Sequence, residues 1–326
     1  MVGQPRIPPT PARTSMAGQT VIVTGGNSGL GFETARQFLT LQASRVIIAV
    51  RSESKGQEAI SALRADPAVK AANPSAKVEA FLLDLEDYQS GLRFAQRVKK
   101  EVPELHVLLC NAGMNILRYE TSKSGHEMVM QVNCYTHFFI ALELLPLLLA
   151  TAVKRGTPSH LSFIGSDMQS MHTLANRPFT SPETLLGHFD NLKAYNMKRY
   201  ADSKLTANAF ARKLATVVSS NHVIVNTVCP GIVATDLEKS LPAWVKVPYF
   251  FIRAVLARKV DEGSRTLVYA SVIAGPETHG RYLNHNKVEI NTPFLDESKG
   301  KQFIEKFWTE MVEEGKSLDP ELEIAA

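Results

Sequence analysis

Six short apolar runs, separated by stretches of helical spacing, limit what this chain can fold into more than any other feature. Gln19–Thr24, Arg45–Val50, Val78–Leu83, Val107–Cys110, Leu161–Ile164 and Val223–Val228 read as strands. Between them apolar residues recur at helical spacing over Leu30–Leu41, Glu53–Ala65 and near 88–101, 125–153 and 195–219. Strands that are apolar on both faces and alternate with helices make a parallel sheet covered on both sides. Right-handed crossovers wind such a sheet doubly, and ligands bind beyond the carboxyl ends of its strands. The expected fold class is therefore α/β, a doubly wound parallel sheet in a single domain.

The chain of 326 residues is long enough for two average domains, but it shows no internal repeat and no long linker. The expected organisation is a disordered arm over 1–16, a catalytic domain over 17–290, and a C-terminal extension of the same domain over 291–326. That extension carries a half-solvated helix near 299–314. Residues 1–16 hold four prolines, two arginines and no acid, with no continuous apolar segment of the secretory kind. The longest apolar stretch, Phe138–Val153, contains Glu143 and Pro146 and falls short of the roughly 18 residues of a membrane span, so it reads as a buried helix.

A formal charge of +4, with Lys and Arg scattered among acids, offers no basic stripe for nucleic acid. Cys110, Cys134 and Cys229 are odd in number and far apart, with no zinc spacing; they read as small buried hydrophobes in a reducing, cytoplasmic compartment. His126, His137, His172 and His188 have no paired metal spacing either, and no metal is expected.

The first strand runs into Thr24-Gly25-Gly26-Asn27-Ser28-Gly29-Leu30-Gly31. Gly25 permits the tight turn, Gly29 lets backbone approach a diphosphate, and Gly31 allows close helix–strand packing. The N–H groups opening the next helix then face the phosphates. Such a pattern is common in ordinary turns; here it follows the first strand and opens the first helix, as dinucleotide binding requires. At the end of the second strand, where an NAD site commonly places an acid for the ribose 2′-OH, the chain reads Ala49-Val50-Arg51-Ser52. Arg51 is able to form paired bonds to a 2′-phosphate and Lys55 adds charge one turn on, so NADP(H) is the expected cofactor. The plainer alternative is a solvated loop arginine.

With Thr-Gly-x-x-x-Gly-x-Gly at 24–31, Asn111-Ala112-Gly113 after the fourth strand and Tyr200-x-x-x-Lys204, residues 18 to about 285 resemble the short-chain dehydrogenase/reductase family. The fold this implies is the Rossmann fold. The long segment between Ser166 and Tyr200 resembles the retinol-dehydrogenase-like and fungal reductase branch. The resemblance implies a catalytic set of Asn133, Ser166, Tyr200 and Lys204, and the chemistry supports it. A free tyrosine has a pKa of about 10. Lys204, on the same helical face at i,i+4, would favour tyrosinate and let Tyr200 act as acid/base. Lys204 would also bond the nicotinamide ribose. Ser166 lies beyond the fifth strand, where its hydroxyl can bond a substrate oxygen; Ser162 sits within the strand. Asn133 would hold a water linked to the lysine. Tyr195, followed four residues later by Arg199, is assigned to structure or to the pocket entrance. Thr136 stands where many relatives have glycine, which is expected to alter packing rather than chemistry.

Further cofactor contacts implied by the resemblance are Asp84 and Leu85 near the adenine, the Asn111–Gly113 backbone beside the adenosine ribose, and Pro230, Gly231, Val233 and Thr235 bordering the nicotinamide. Met168, Leu174, Phe179, Leu237, Trp244, Tyr249 and Phe250 offer an apolar lining for a small-molecule substrate; the plainer alternative for any one of them is a core or helix contact. A lid is expected over about 236–258; the alternative for 241–257 is a surface helix touching membrane. The helices near 125–153 and 195–219 resemble those that pair subunits into homodimers or homotetramers.

The reading is thus an oxidoreductase of ketones or aldehydes, of a kind suited to secondary metabolism. Two rivals are a non-redox cyclisation or isomerisation at the same site and a non-catalytic nucleotide-binding regulator. Stoichiometric cofactor consumption separates the first from both.

Overall fold

The computed structural model describes residues 4–176, 183–234, 256–290 and 292–324. The six expected strands are present as β1 (Thr20–Thr24), β2 (Arg45–Val50), β3 (Lys77–Leu82), β4 (Val107–Cys110), β5 (Ser159–Ile164) and β6 (Val223–Cys229). Two more follow that the sequence pattern did not reveal, β7 (Arg281–Asn284) and β8 (Lys287–Val288). The strands lie in the order β3-β2-β1-β4-β5-β6-β7-β8, parallel throughout except for β7 against β8. His285 and Asn286 join that last pair with φ of 52° and 61°, as a two-residue hairpin turn demands. β7 reads Arg281-Tyr282-Leu283-Asn284, without the continuous apolar run that marks β4, and the two residues of β8 show no alternation at all.

The helices are α1 (Gly29–Thr40), α2 (Glu53–Ala65), α3 (Pro67–Ala72), α4 (Tyr88–Glu101), α5 (Met128–Arg155, with a π-helical turn at Gln131–Tyr135), α6 (Leu185–Asp190), α7 (Arg199–Val217), α8 (Val260–Val268) and α9 (Ser298–Leu318). Alternate strand residues feed two cores. Val21 and Val23 face the core under α1, α2 and α8, whereas Ile22 faces the core under α4, α5 and α7. The C-terminal helix α9 lies along α7 and also touches α4 and α5.

The apolar stretch inside α5 is a buried helix, as expected. The full helix is longer than that stretch and apolar enough to cross a membrane by length and composition, yet most of it is buried inside the protein. Glu143, within it, is fully buried and paired with Lys99 of α4. The cysteines are all free and buried.

One expectation is overturned at the N-terminus. Residues 4–16 are not a disordered arm: Ile7 and Met16 are buried, and Met16 N donates to Leu41 O at 2.7 Å. The segment lies against the body: Ile7 N donates to Glu262 Oε1 of α8 at 2.8 Å, and Met16 packs into the core under α1.

The sheet reverses its order between β1 and β4, and one side chain ties the two ends there. Thr24 Oγ1 accepts from Asn111 N at 2.9 Å and Ala112 N at 3.0 Å, and lies 2.9 Å from His137 Nε2. With both lone pairs taken, the hydroxyl hydrogen goes to His137, whose Nε2 must be unprotonated. Burial agrees, pushing His137 down to about 3. Thr24→Val keeps the shape but takes the acceptor from Ala112 N–H and leaves Asn111 N–H only Leu109 O at 3.0 Å, so it is expected to cost about 1–3 kcal/mol. Urea unfolding measures this; a loss near zero would mean the hydroxyl is not the tie.

Candidate active site and dinucleotide cleft

The glycine turn has the geometry its sequence implied. Gly25 and Gly29 have φ of 67° and 54°, where a side chain would be strained. A Cβ on Gly31 would lie 2.5 Å from both Gly25 O and Asn111 Nδ2, so glycine is required for helix and turn to close on β4. Asn111 Nδ2 donates to Thr24 O at 2.8 Å, which fixes that approach. Asn27, Ser28 and Leu30 complete the turn; no side chain caps α1 at Ser28, and no acid occupies its first turn. The residues therefore suit a diphosphate at this helix start.

Arg51 and Lys55 are exposed at the end of β2 and in the first turn of α2. Arg51 Nη1 donates to Glu86 Oε1 at 2.8 Å. Asp84 accepts from Glu86 N at 3.2 Å and from Lys123 Nζ at 2.5 Å. Neither Glu86 nor Lys123 was visible as a site residue in sequence, because each is brought in by a different loop. Leu85 is buried, and its carbonyl accepts from Thr136 Oγ1 at 2.8 Å. Gly91 makes room for Thr136: a Cβ on Gly91 would meet Thr136 Cγ2 at 2.9 Å.

The catalytic candidates converge on one end of β5. Lys204 is buried, and its Nζ donates to Ile164 O at 2.8 Å, two residues before Ser166. The same ammonium lies 5.4 Å from the centre of the Tyr200 ring. Burial pushes Lys204 down to about 8. On the other side, a Cβ on Gly113 would be 3.1 Å from Asn133 Oδ1 and 3.9 Å from Lys204 Nζ, so Gly113 is the gap between them. Asn133 sits in the π-helical turn of α5. Its side chain accepts from Met114 N at 2.8 Å and donates to Met114 O and Ser203 Oγ, both at 3.0 Å. It thereby joins the loop after β4 to the helix bearing Tyr200.

Ser166 Oγ accepts from Met168 N at 3.2 Å, which leaves its own hydrogen to donate. The loop it begins is held on both flanks. Asp167 accepts from Tyr282 Oη at 2.7 Å and from Asn284 Nδ2 at 3.1 Å on β7. Thr173 N donates to Asp202 at 2.7 Å on α7, two residues past Tyr200. These anchors are remote in sequence and carry no motif, so spacing alone could not find them. Ser162 is buried within β5 and donates to Ala270 O at 3.4 Å, away from the site. Tyr195 packs edge-on against Tyr119, and its neighbour Arg199 is buried beside Glu127 and Asp202, each at 3.7 Å.

Of the expected substrate lining, Leu174 is corrected: it is completely buried in the core, because the turn after Thr173 folds inward. Met168 is exposed beside Ser166. Thr235, Phe179, Leu237, Trp244, Tyr249 and Phe250 lie outside the described residues, as does the expected lid up to residue 255. Pro230, Gly231 and Val233 follow β6, with Gly231 at φ 79° and Val233 buried.

A family model described as short chain dehydrogenase matches residues 19–171 and 191–246. The short chain dehydrogenase sor7 of Hypocrea jecorina is 56% identical over 290 residues, 88% of this chain and 81% of that protein. The short chain dehydrogenase macD of Penicillium terrestre is 35% identical over 313 residues, 95% of each chain. Among solved structures, the NADP complex of Pseudomonas aeruginosa RhlG superposes with a TM-score of 0.63 at 22% identity, over 84% of this chain and 97% of that one. That likeness supports the fold. The chain belongs to the short-chain dehydrogenase family, alongside fungal members, and is a nicotinamide-dependent oxidoreductase.

Proposed function

We propose that this protein transfers hydride between NADP(H) and a carbonyl or alcohol carbon of a hydrophobic small molecule, with Tyr200 as the acid/base. The observation that carries this reading is the buried Lys204 ammonium held between Ile164 O and the Tyr200 ring at one end of β5. The dinucleotide, when bound, supplies or accepts the hydride. The chain's own residues manage the proton and the oxygen. Ser166 has a hydroxyl hydrogen to donate to the substrate oxygen, and Tyr200 delivers or removes the proton on that oxygen. Lys204 uses one N–H on Ile164 O and keeps two for a ribose hydroxyl and for the field that favours tyrosinate.

The glycine turn would hold the diphosphate, Asp84, Leu85 and the Asn111–Gly113 backbone the adenosine, and Pro230, Gly231 and Val233 the nicotinamide side. Arg51 and Lys55 would hold the 2′-phosphate. The Arg51–Glu86 pair does not oppose this, since Arg51 is 70% exposed and such pairs contribute about 0–1 kcal/mol. A phosphate makes a stronger, bidentate partner. Exposed Met168 and Met171 after Ser166, with Leu192 and Met197 before Tyr200, supply apolar surface for a hydrophobic substrate. Three buried thiols without a disulfide fit a cytoplasmic setting.

The test of cofactor choice is a fluorescence titration of NADPH and NADH against wild type and Arg51→Ala. NADPH should bind about 10- to 100-fold more weakly to the variant, with NADH affinity little changed. Equal weakening of both would remove Arg51 from the phosphate site.

Lys204→Met should lower kcat by roughly 100-fold or more. Its thermal midpoint should hold or rise, because an apolar chain replaces an ammonium whose burial is unfavourable below its pKa. A variant that keeps its turnover would refute the role.

The depressed Lys204 pKa gives the sign of the pH dependence. The ammonium is present below about 8 and lost above it. Carbonyl reduction should hold on the acidic side and fall as pH rises through about 8, and a kcat profile flat across that range would overturn the assignment.

A further inference from the structure

The N-terminal segment ends against the loop assigned above to the nicotinamide side, and it does so through one side chain. Gln4 Oε1 accepts from Ile232 N at 2.8 Å, while Gln4 Nε2 donates to Ile232 O at 2.8 Å and to Leu256 O at 2.7 Å. A carboxamide that pairs with both the N–H and the C=O of one residue copies a neighbouring strand, and it fixes the orientation of that peptide on both sides. Ile232 lies between Gly231 and Val233, so the two residues that border the cofactor are held by the one that faces the segment.

Arg258 completes the junction. It is buried and donates to Pro230 O at 2.9 Å and to Pro5 O at 2.6 Å, with His285 Nδ1 at 2.8 Å. Its backbone N donates to Ile232 O at 2.9 Å, and its carbonyl accepts from Ala234 N at 3.2 Å. A Cβ on Gly231 would lie 2.1 Å from Gln4 Oε1 and 2.3 Å from Arg258 Nη1. Glycine is therefore required here by the segment itself, in addition to its φ. On the inner side a Cβ on Gly263 would meet Val233 Cγ2 at 2.6 Å and Leu30 Cδ2 at 3.2 Å, which sets the loop against the glycine turn of α1.

The segment is anchored along its length. Ile7 is buried, its N–H donates to Glu262 Oε1 at 2.8 Å, and its carbonyl accepts from Arg265 Nη1 at 3.1 Å, both on α8. Met16 N bonds Leu41 O just past the end of α1, close to the start of β1. From Gln4 to Met16 the chain thus crosses from the carboxyl-terminal side of the sheet, where the cleft opens, to the amino-terminal side.

We propose that residues 4–16 are a strap that shapes the dinucleotide cleft, with Gln4 a positioning residue that holds the Gly231–Val233 backbone ready for the cofactor. This rests on the assignment of that loop to the nicotinamide side. The function is carried through backbone that Gln4 aligns, and Gln4 itself touches no reacting atom.

The experiment compares wild type, Gln4→Ala and Gln4→Glu as full chains, by NADPH titration, by thermal midpoint and by hydrogen exchange at the Ile232 and Arg258 amides. Gln4→Glu keeps an acceptor for Ile232 N–H but sets a carboxylate against two carbonyls. Three hydrogen bonds of ordinary strength are removed in Gln4→Ala, of which only part is felt in binding, so NADPH Kd should rise about 5- to 10-fold. The midpoint should move little, exchange at Ile232 should speed up in the free protein, and Gln4→Glu should be at least as impaired as Gln4→Ala. If wild type binds NADPH and both variants bind it equally or more tightly, the strap is overturned and the cofactor assignment stands. If wild type binds neither NADPH nor NADH, the cofactor reading falls and the strap's role falls with it.

Discussion

Thr24 stands where the parallel sheet reverses its strand order, and its hydroxyl is fully used there. Two backbone N–H groups from the end of β4 and the unprotonated Nε2 of His137 from α5 meet on one oxygen. The carboxyl ends of two parallel strands would otherwise diverge, since ladder hydrogen bonds stop where the strands stop. Holding them together sets the width of the crevice and the position of the glycine turn above it. Asn111 reinforces the same junction from the other side, and Gly31 is confined to glycine because of it.

From that junction the site is assembled by pairwise ties between elements rather than by any one loop. Asn133 joins the loop after β4 to α7, Lys204 joins α7 to the end of β5, and Asp202 and Asp167 hold the segment after Ser166 between α7 and β7. Each tie is a buried or half-buried polar contact, expensive to leave unmade in a low-dielectric interior. Together they restrict Ser166, Tyr200 and Lys204 to one shared region. The same burial that makes Lys204 a rigid partner for Tyr200 also lowers its hold on a proton, so position and acidity have one cause.

The loop after β6 is held differently. It leaves the sheet after β6 with a glycine in the left-handed region, and among the described residues its bridge is the one between Val233 and Arg258. Its order comes from outside the sheet, from a buried arginine and from the first residues of the chain. A segment rich in proline suits that task, because its restricted backbone loses less entropy when fixed. The feature that made residues 1–16 look disordered is thus compatible with a strap once Ile7 and Met16 have somewhere to be buried.

By itself the sequence determined the six core strands and most of the helices between them, the glycine turn, and the shared helical face of Tyr200 and Lys204. Those features are written in local periodicity and in short motifs, where neighbours in the chain are neighbours in space: Tyr200 and Lys204 share a helical face at i,i+4, and Gly25, Gly29 and Gly31 share one turn. Only the tertiary structure decided what lies across from them. Glu86 beside Arg51, Lys123 on Asp84, Asp202 under Thr173, Leu174 in the core, and Gln4 on Ile232 are separated by up to 228 residues, and none repeats at a helical or strand period. The two-residue strand β8 and the hairpin before it were invisible for a related reason, being too short for alternation and stabilised by the edge they complete. Periodicity reports what a residue faces, whereas the identity of the partner it meets there depends on how the elements pack.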